Sequence, residues 1–346
     1  MEVKISFIIP CYNVEKYIRH CLDTITAIDT RHNGKIGESE WGYEIICVLD
    51  PSTDSTLSIL QSYADKNACM RIYQPEIRLG IGGSRNFGLT HAKGKYIWYV
   101  DSDDSIVSSS VIEFLKQAEK EKLDVLAFNF NDLNEDGSIL KRGRLFENSI
   151  TQSGLDFVKN TFGDYLSNYI GFIWRFMYRR EYLLKNDILF PNGNWEDTIY
   201  MLKSMIMAER ISSTIMAGYE YWHHDTSICR TLEKKYPGKL VYEFSFGAGY
   251  DLFRYADTME DAYLNQLLHR IAIKDYFNWF PPYLCRSGYK ERTVFYRYVK
   301  ENYQERVKPT KQYLKLVPRL FLLPCVGRVF AECAAVVYNI KHYKKK

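Results

Sequence analysis

Ile5-Ser6-Phe7-Ile8-Ile9 is a nearly unbroken apolar run closed by Pro10, the pattern of a strand buried on both faces. Val14, Tyr17, Ile18, Cys21, Leu22, Ile25 and Ile28 then recur every three or four residues, the stripe of an amphipathic helix. Residues 30–41 are polar and contain glycine, and read as a loop. A second apolar run covers Tyr43 to Leu49. A helical pattern opening at Asp54 carries Leu57, Leu60, Tyr63 and Ala64. Met70–Tyr73, Tyr96–Val100 and Val125–Asn129 are further strand patterns, while Ser84–Ala92 and Val111–Lys122 are helical. Strands and helices alternating at this spacing predict an α/β, doubly wound, mostly parallel sheet covered by helices, because parallel neighbours need crossovers of this length. The alternation fades near residue 135. Gly137, Lys141, Arg142, Gly143 and Arg144 read as an exposed loop, 151–230 is mixed, and from about 240 the pattern is mainly helical.

At 346 residues the chain exceeds the usual single domain, so one large domain with an appendage, or two domains, is expected. Net charge is +4, too little for the basic stripe of a nucleic-acid binder. Eight cysteines are scattered without zinc spacing, and Cys11, Cys21, Cys47 and Cys69 lie in or beside apolar runs, as buried thiols do. No signal-peptide pattern leads the chain and no stretch is apolar enough to span a bilayer, which makes the cytoplasm the expected compartment. The 28 tyrosines change the picture most: besides packing, such rings can stack on flat or sugar-like ligands.

Candidate chemistry gathers where an open parallel sheet binds ligands, outside the carboxyl ends of its strands. Pro10-Cys11-Tyr12-Asn13 follows the first strand, Asp50-Pro51-Ser52-Thr53-Asp54 the second, and Asp101-Ser102-Asp103-Asp104 the fourth. Three carboxylates in four residues repel one another unless a cation intervenes, and hard oxygen donors suit Mg²⁺ or Mn²⁺. The alternative is a solvated turn in which Asp104 or Ser105 caps the next helix. Arg78, Arg85 and Asn86 stand among Gly80, Gly82, Gly83 and Gly88, either a phosphate-facing helix start or a surface turn. Glu196 and Asp197 open a helical pattern, where they complement the helix dipole or supply a general base. Tyr219-Glu220-Tyr221-Trp222-His223-His224 could be structural or could touch metal or diphosphate.

Five of these motifs, in this order, resemble family 2 glycosyltransferases of the GT-A fold, particularly bacterial enzymes building capsule, exopolysaccharide or lipopolysaccharide. They are Ile9-Pro10-Cys11-Tyr12-Asn13-Val14-Glu15, Glu44 to Asp54, Ser84-Arg85-Asn86-Phe87-Gly88, Asp101-Ser102-Asp103-Asp104 and Trp195-Glu196-Asp197. The resemblance implies a Rossmann-like GT-A catalytic domain over 1–235 with a mainly helical carboxy-terminal extension, 236–346. It implies a UDP-sugar donor, with Tyr12 beside the base, the Pro10 backbone and Asn13 near it, and Asp50 accepting from the base N3–H. Asp101 would lie near ribose and metal, Asp103 would be the main ligand of Mn²⁺ or Mg²⁺, and Arg85 would face the nucleotide or its phosphates. Asp197 would be the base of an inverting displacement, with Glu196 beside it, and His223 would close over the diphosphate. Leu49-Asp50-Pro51 departs from the family's usual pair of aspartates followed by glycine.

The implied partners are the nucleotide sugar and a glycan or lipid-linked acceptor, with no nucleic acid. From Leu316 onward an apolar stretch ends in Lys341, Lys344, Lys345 and Lys346. It suits either a membrane interface at the inner face of the cell membrane or a helix packed on the catalytic domain. A non-catalytic sugar-nucleotide-binding protein and a nucleotidyltransferase are the competing readings. Intact Glu196 and Asp197 argue against the first. The lack of a basic phosphate loop near the amino terminus argues against the second.

Overall fold

The computed structural model describes residues 2–28, 35–36, 40–143, 146–161, 172–191, 196–224 and 246–272. The chain divides into two compact units, Met1–Asp225 and Thr226–Lys346.

In the first unit the apolar runs become β1 (Glu2–Cys11), β2 (Trp41–Leu49), β3 (Met70–Tyr73) and β4 (Tyr96–Tyr99). They pair in parallel in the order β3-β2-β1-β4. From its third residue β1 is buried throughout, which accounts for its nearly unbroken hydrophobicity from Ile5. The crossovers are α1 (Ile18–Thr26), α2 (Thr56–Ala64) and α3 (Gly80–His91), and α4 (Val111–Glu121) follows β4. Helix α1 buries Ile18, Cys21, Leu22 and Ile25, one stripe at helical spacing. Helix α3 lies so close to β1 that a Cβ on Gly88 would come within 2.4 Å of Ile8 Cγ2. Beneath the sheet Trp98, Phe114 and Phe128 form an aromatic core, with Phe114 and Phe128 stacked at 4.6 Å and Trp98 4.7 Å from Phe128.

Beyond β4 the sheet changes character. Strand β6 (Val125–Leu133) is not the neighbour of β4, because β8 (Phe176–Arg179) inserts between them, antiparallel to both. Thus β1, β2, β3, β4, β6 and β9 (Ile211–Trp222) run one way. Strands β5 (Ser105–Ile106), β7 (Ile139–Gly143) and β8 run the other, in a nine-stranded sheet among the described residues. The expected exposed loop near 137–143 is instead β7, the return strand of a hairpin with β6. Its turn is closed by Asn134 N–H donating to Ser138 O and Ser138 N–H donating to Asp136 Oδ1, both at 2.9 Å. Arg144 lies outside the described residues. Helices α5 (Gly154–Thr161), α6 (Arg180–Lys185) and α7 (Glu196–Ile206) complete this unit.

The second unit contributes α8 (Phe246–Asp257) and α9 (Ala262–Ile271), the latter capped by Asp261 accepting from Leu264 N–H at 2.8 Å. The segment from Leu316 to the terminal lysines lies outside the described residues. Among the described residues no helix is long and apolar enough to cross a membrane.

Candidate active site

The parallel register brings three polar turns to one edge. Cys11 is level with Leu49 and Ile8 with Tyr99, so the residues after β1, β2 and β4 emerge side by side. Pro10 is a buried residue of β1. The first two turns are clasped together. Asn13, in a left-handed conformation at φ 51°, accepts from Thr53 N–H at 2.9 Å through Oδ1, while its own N–H donates to Ser52 Oγ. Glu15 N–H donates to Asp54 and Ser55 N–H donates to Glu15. The Asn13 side chain therefore serves this clasp, and Tyr12 stands out from it, 40% exposed, with the Arg78 guanidinium 3.9 Å over its ring.

Asp50 has a different place from the one expected. It is buried, and its two carboxylate oxygens accept from Leu79 N–H and Gly80 N–H, each at 2.9 Å. It pins the entrance of α3, which binds Arg85 and Asn86 into the site, and does not lie open to a base. The donors at an uncapped helix start are what it satisfies.

The three aspartates after β4 have three separate fates. Asp101 Oδ1 accepts from Arg85 at 2.7 Å. Asp104 is fully enclosed: Tyr219 Oη donates to its Oδ2 at 2.8 Å and Trp222 N–H to its Oδ1 at 2.9 Å. Asp103 is the most open of the three side chains described here, 32% exposed, and meets buried His224 Nε2 at 3.0 Å. The ring of His224 in turn packs on that of Tyr17, tilted by 32° with centroids 4.2 Å apart. Burial raises the proton affinity of Asp104 well above the usual carboxylate range, and Asp103 and Asp101 add to the rise. Burial also raises Asp101, with Arg85 opposing and Asp103 adding.

Of the two histidines, His223 pairs with Asp132 at 2.6 Å. His224, next to His223, is the one that reaches the aspartate turn. Strand alternation explains the difference. Glu220, Trp222 and His224 share the face of β9 that meets Ser105 and Asp103, whereas Tyr221 and His223 share the other. Among the described residues no three His, Cys, Asp or Glu side chains gather as a ready-made metal cage. The Asp103–His224 pair nevertheless fits a divalent cation: one hard carboxylate and one imidazole at the same point leave further positions for water and diphosphate oxygens.

Arg85 occupies the centre. It is wholly buried, and besides Asp101 its guanidinium donates to Asp197 at 2.5 Å and to Glu196 at 3.2 Å. The carboxylates come from the end of β4 and the start of α7; Trp195 of the same motif, with 192–194, lies outside the described residues. Its neighbour Asn86 exchanges two hydrogen bonds with the Phe190 backbone, both at 2.9 Å. Three carboxylates around one cation leave surplus negative charge in a closed site. Burial pushes Asp197 up to about 8, against the pull of Arg85 and with Glu196 and Asp101 adding. Burial likewise raises Glu196, and Arg85 opposes the rise. Burial opposes the charge on Arg85, yet Asp197, Asp101 and Glu196 together hold it above its ordinary value. Of the acidic pair, Asp197 is the more accessible, 23% exposed against 6% for Glu196.

A sheet of this topology, with carboxylates gathered at the ends of its parallel strands, has the GT-A fold. The chain belongs to glycosyl transferase family 2, whose profile matches residues 6–186, and it is accordingly a glycosyltransferase. The match ends before Glu196 and Asp197. The uncharacterized glycosyltransferase EpsJ of Bacillus subtilis is 26% identical over 254 residues, covering 70% of each chain. The poly(ribitol-phosphate) β-N-acetylglucosaminyltransferase TarS of Staphylococcus aureus is 29% identical over 225 residues, 63% of this chain and 35% of that one. The crystal structure of TarS residues 1–349 with UDP-GlcNAc superimposes with a TM-score of 0.68 over 96% of this chain and 88% of that chain, at 22% identity. A mannosyltransferase from Pyrobaculum calidifontis, bound to GDP-Man and Mn²⁺, gives 0.52 at 16% identity over 98% and 88%. These two likenesses concern the fold.

Proposed function

We propose that the protein is an inverting glycosyltransferase carrying a sugar from a nucleoside diphosphate, UDP first among the candidates, to a hydroxyl of a glycan or lipid-linked acceptor in cell-surface polysaccharide synthesis. The observation that carries the reading is the meeting of Asp101, at the strand edge, and Asp197, at the start of α7, on one guanidinium. Tyr12 is the exposed ring on the nucleotide side of that edge. Asp197 takes the proton of the acceptor hydroxyl as its oxygen bonds to the anomeric carbon. The bond from that carbon to the diphosphate breaks, and its electron pair leaves with the diphosphate. Asp197 suits this work because a base is most effective when its pKa lies near the working pH, and burial has raised it to about 8. Asp103 and His224 would hold a divalent cation, Mn²⁺ or Mg²⁺, which would supply positive charge to the departing diphosphate. The UDP-GlcNAc complex of TarS and the Mn²⁺ complex of the mannosyltransferase support this choice of donor and ion by analogy of fold. The lysine-rich terminus suits an anionic membrane surface, which flotation with anionic and neutral vesicles tests directly.

Asp197→Asn tests the mechanism. Release of UDP from UDP-glucose, UDP-galactose and UDP-GlcNAc falls by about 100-fold or more, the usual worth of a positioned base, while UDP affinity stays near wild type. Full activity in Asp197→Asn contradicts the base assignment.

A further inference from the structure

Arg85 was expected at the nucleotide or its phosphates, and its surroundings leave no room for that role. A side chain that meets a diphosphate presents N–H groups at an open surface, whereas Arg85 is 1% exposed. Its Nη1 is spent on Glu196 and Asp197 and its Nη2 on Asp101. Its Nε is enclosed and has no hydrogen-bond partner among the described residues. The next residue, Asn86, also reaches away from the strand edge, holding both backbone polar groups of Phe190. The ring of Phe190 lies 5.1 Å from the Arg85 guanidinium and is stacked at 3.8 Å on Tyr200 of α7. Two consecutive residues of α3 thus serve the segment that ends in Glu196 and Asp197. The fit is close, since a Cβ on Gly82, one turn earlier, would stand 3.0 Å from Glu196 Cγ.

We infer that Arg85 is a positioning residue: it fixes the Asp197 carboxylate, together with Glu196, against Asp101, so that the acceptor-side base is registered to the donor-side edge. The inference rests on the reading of Asp197 as the base, and adds to it the means by which that base is aimed. The groups facing the guanidinium are Asp101 from the end of β4, Glu196 and Asp197 from α7, and the ring of Phe190. A bidentate cation of fixed planar geometry holds two carboxylates at a set separation, which an ammonium cannot do. Loss of that register leaves the nucleotide-binding turns of β1 and β2 intact, because Asn13, Asp54 and Asp50 hold those turns through bonds that do not involve Arg85.

The experiment compares Arg85→Lys, Arg85→Gln and the charge-balanced pair Arg85→Gln/Glu196→Gln with wild type. Three quantities are measured: UDP affinity by calorimetry with Mn²⁺ present, kcat for UDP release from UDP-glucose, UDP-galactose and UDP-GlcNAc, and the melting transition. The expected result is UDP affinity within about threefold of wild type and kcat lowered by about 100-fold, the cost of misplacing a reacting group by roughly 1 Å. Arg85→Lys should retain more kcat than Arg85→Gln. A loss of UDP affinity that accounts for the loss of activity places Arg85 on the nucleotide and overturns the inference, as does unchanged kcat. The charge-balanced pair guards against misfolding from uncompensated carboxylates; if it too lacks a melting transition, Arg85 is a structural element and the inference falls. Wild type that neither binds UDP nor releases it from any of the three sugars overturns the UDP-sugar reading beneath. Wild-type turnover with unimpaired Arg85 variants overturns the positioning role alone.

Discussion

Replacing Asp103 and Asp104 separately by alanine should split one motif into a functional half and a structural half. Asp104 is 2% exposed and accepts from Tyr219 Oη and the Trp222 backbone N–H. Its removal strands two buried donors at about 1–3 kcal/mol each, offset in part by relief of a buried charge beside Asp101 and Asp103. A net loss of about 2–4 kcal/mol is expected in Asp104→Ala. Asp103 is 32% exposed and makes one described contact, to His224, so Asp103→Ala should cost less than about 1 kcal/mol. Urea denaturation measures both, and calorimetry with UDP and Mn²⁺ should show the reverse order, with Asp103→Ala losing metal-dependent binding. The pH dependence has a definite sign. Because the folded protein holds the Asp104 carboxyl well above its unfolded value, the stability linked to its proton is fully present below the unfolded pKa and is lost as pH rises through the folded one. The advantage of wild type over Asp104→Ala therefore shrinks with rising pH. Equal destabilisation by the two substitutions, or weakened UDP binding confined to Asp104→Ala, would refute this division.

Gly88→Ala pushes a methyl within 2.4 Å of Ile8 Cγ2; a destabilisation of about 1–3 kcal/mol is expected from overpacking, and an unchanged melting temperature would mean α3 can move off the sheet. Asp124 is 2% exposed, is paired with Arg179, and accepts from the Glu209 and Arg210 N–H groups at 2.9 and 3.0 Å. Asp124→Ala should cost about 2–4 kcal/mol in urea, chiefly from the two backbone N–H groups it strands, since Arg179 is a third exposed and keeps Glu181 as a partner. For catalysis, kcat/KM reports the free enzyme. With Asp197 raised to about 8, its profile should rise with pH to a plateau above that value, and a flat profile from 6 to 9 would remove Asp197 as the titrating base.

Strands β1, β2 and β4 were legible because parallel strands buried on both faces are continuous apolar runs, whereas β3, at the sheet's edge with only Met70 buried, is a weaker pattern; the carboxyl ends of these strands mark the candidate site by position alone. Strand β9 was not legible, because its buried first third reads Ile211-Ser212-Ser213-Thr214. The hydroxyls are satisfied from elsewhere in the chain: Ser212 donates to Ser149 O and Ser213 to Glu147 O. Polar letters thus concealed a core strand. With β9 unassigned, the alternation that separates His224 from His223 could not be applied. Strand β8 is four residues long and antiparallel, too short to announce itself among the mixed pattern after 151. The Arg85 cluster joins residues 111 and 112 positions apart, and only the fold brings these together. Asp50 stands at the edge after β2, yet its bonds are to backbone N–H groups of residues 79 and 80, which side-chain letters do not reveal.

The central claim is that the edge formed by Tyr12, Asp103 and His224 holds a metal-bound nucleoside diphosphate. Calorimetric titration of UDP into the protein, with Mn²⁺ and then with EDTA, tests it most directly. Saturable binding with Mn²⁺ that is lost with EDTA, and lost in Asp103→Ala, is the predicted result. Binding that is indifferent to both EDTA and the Asp103 substitution would contradict the metal site, and no binding of UDP, and then of GDP, CMP or dTDP, in either condition would contradict the claim as a whole.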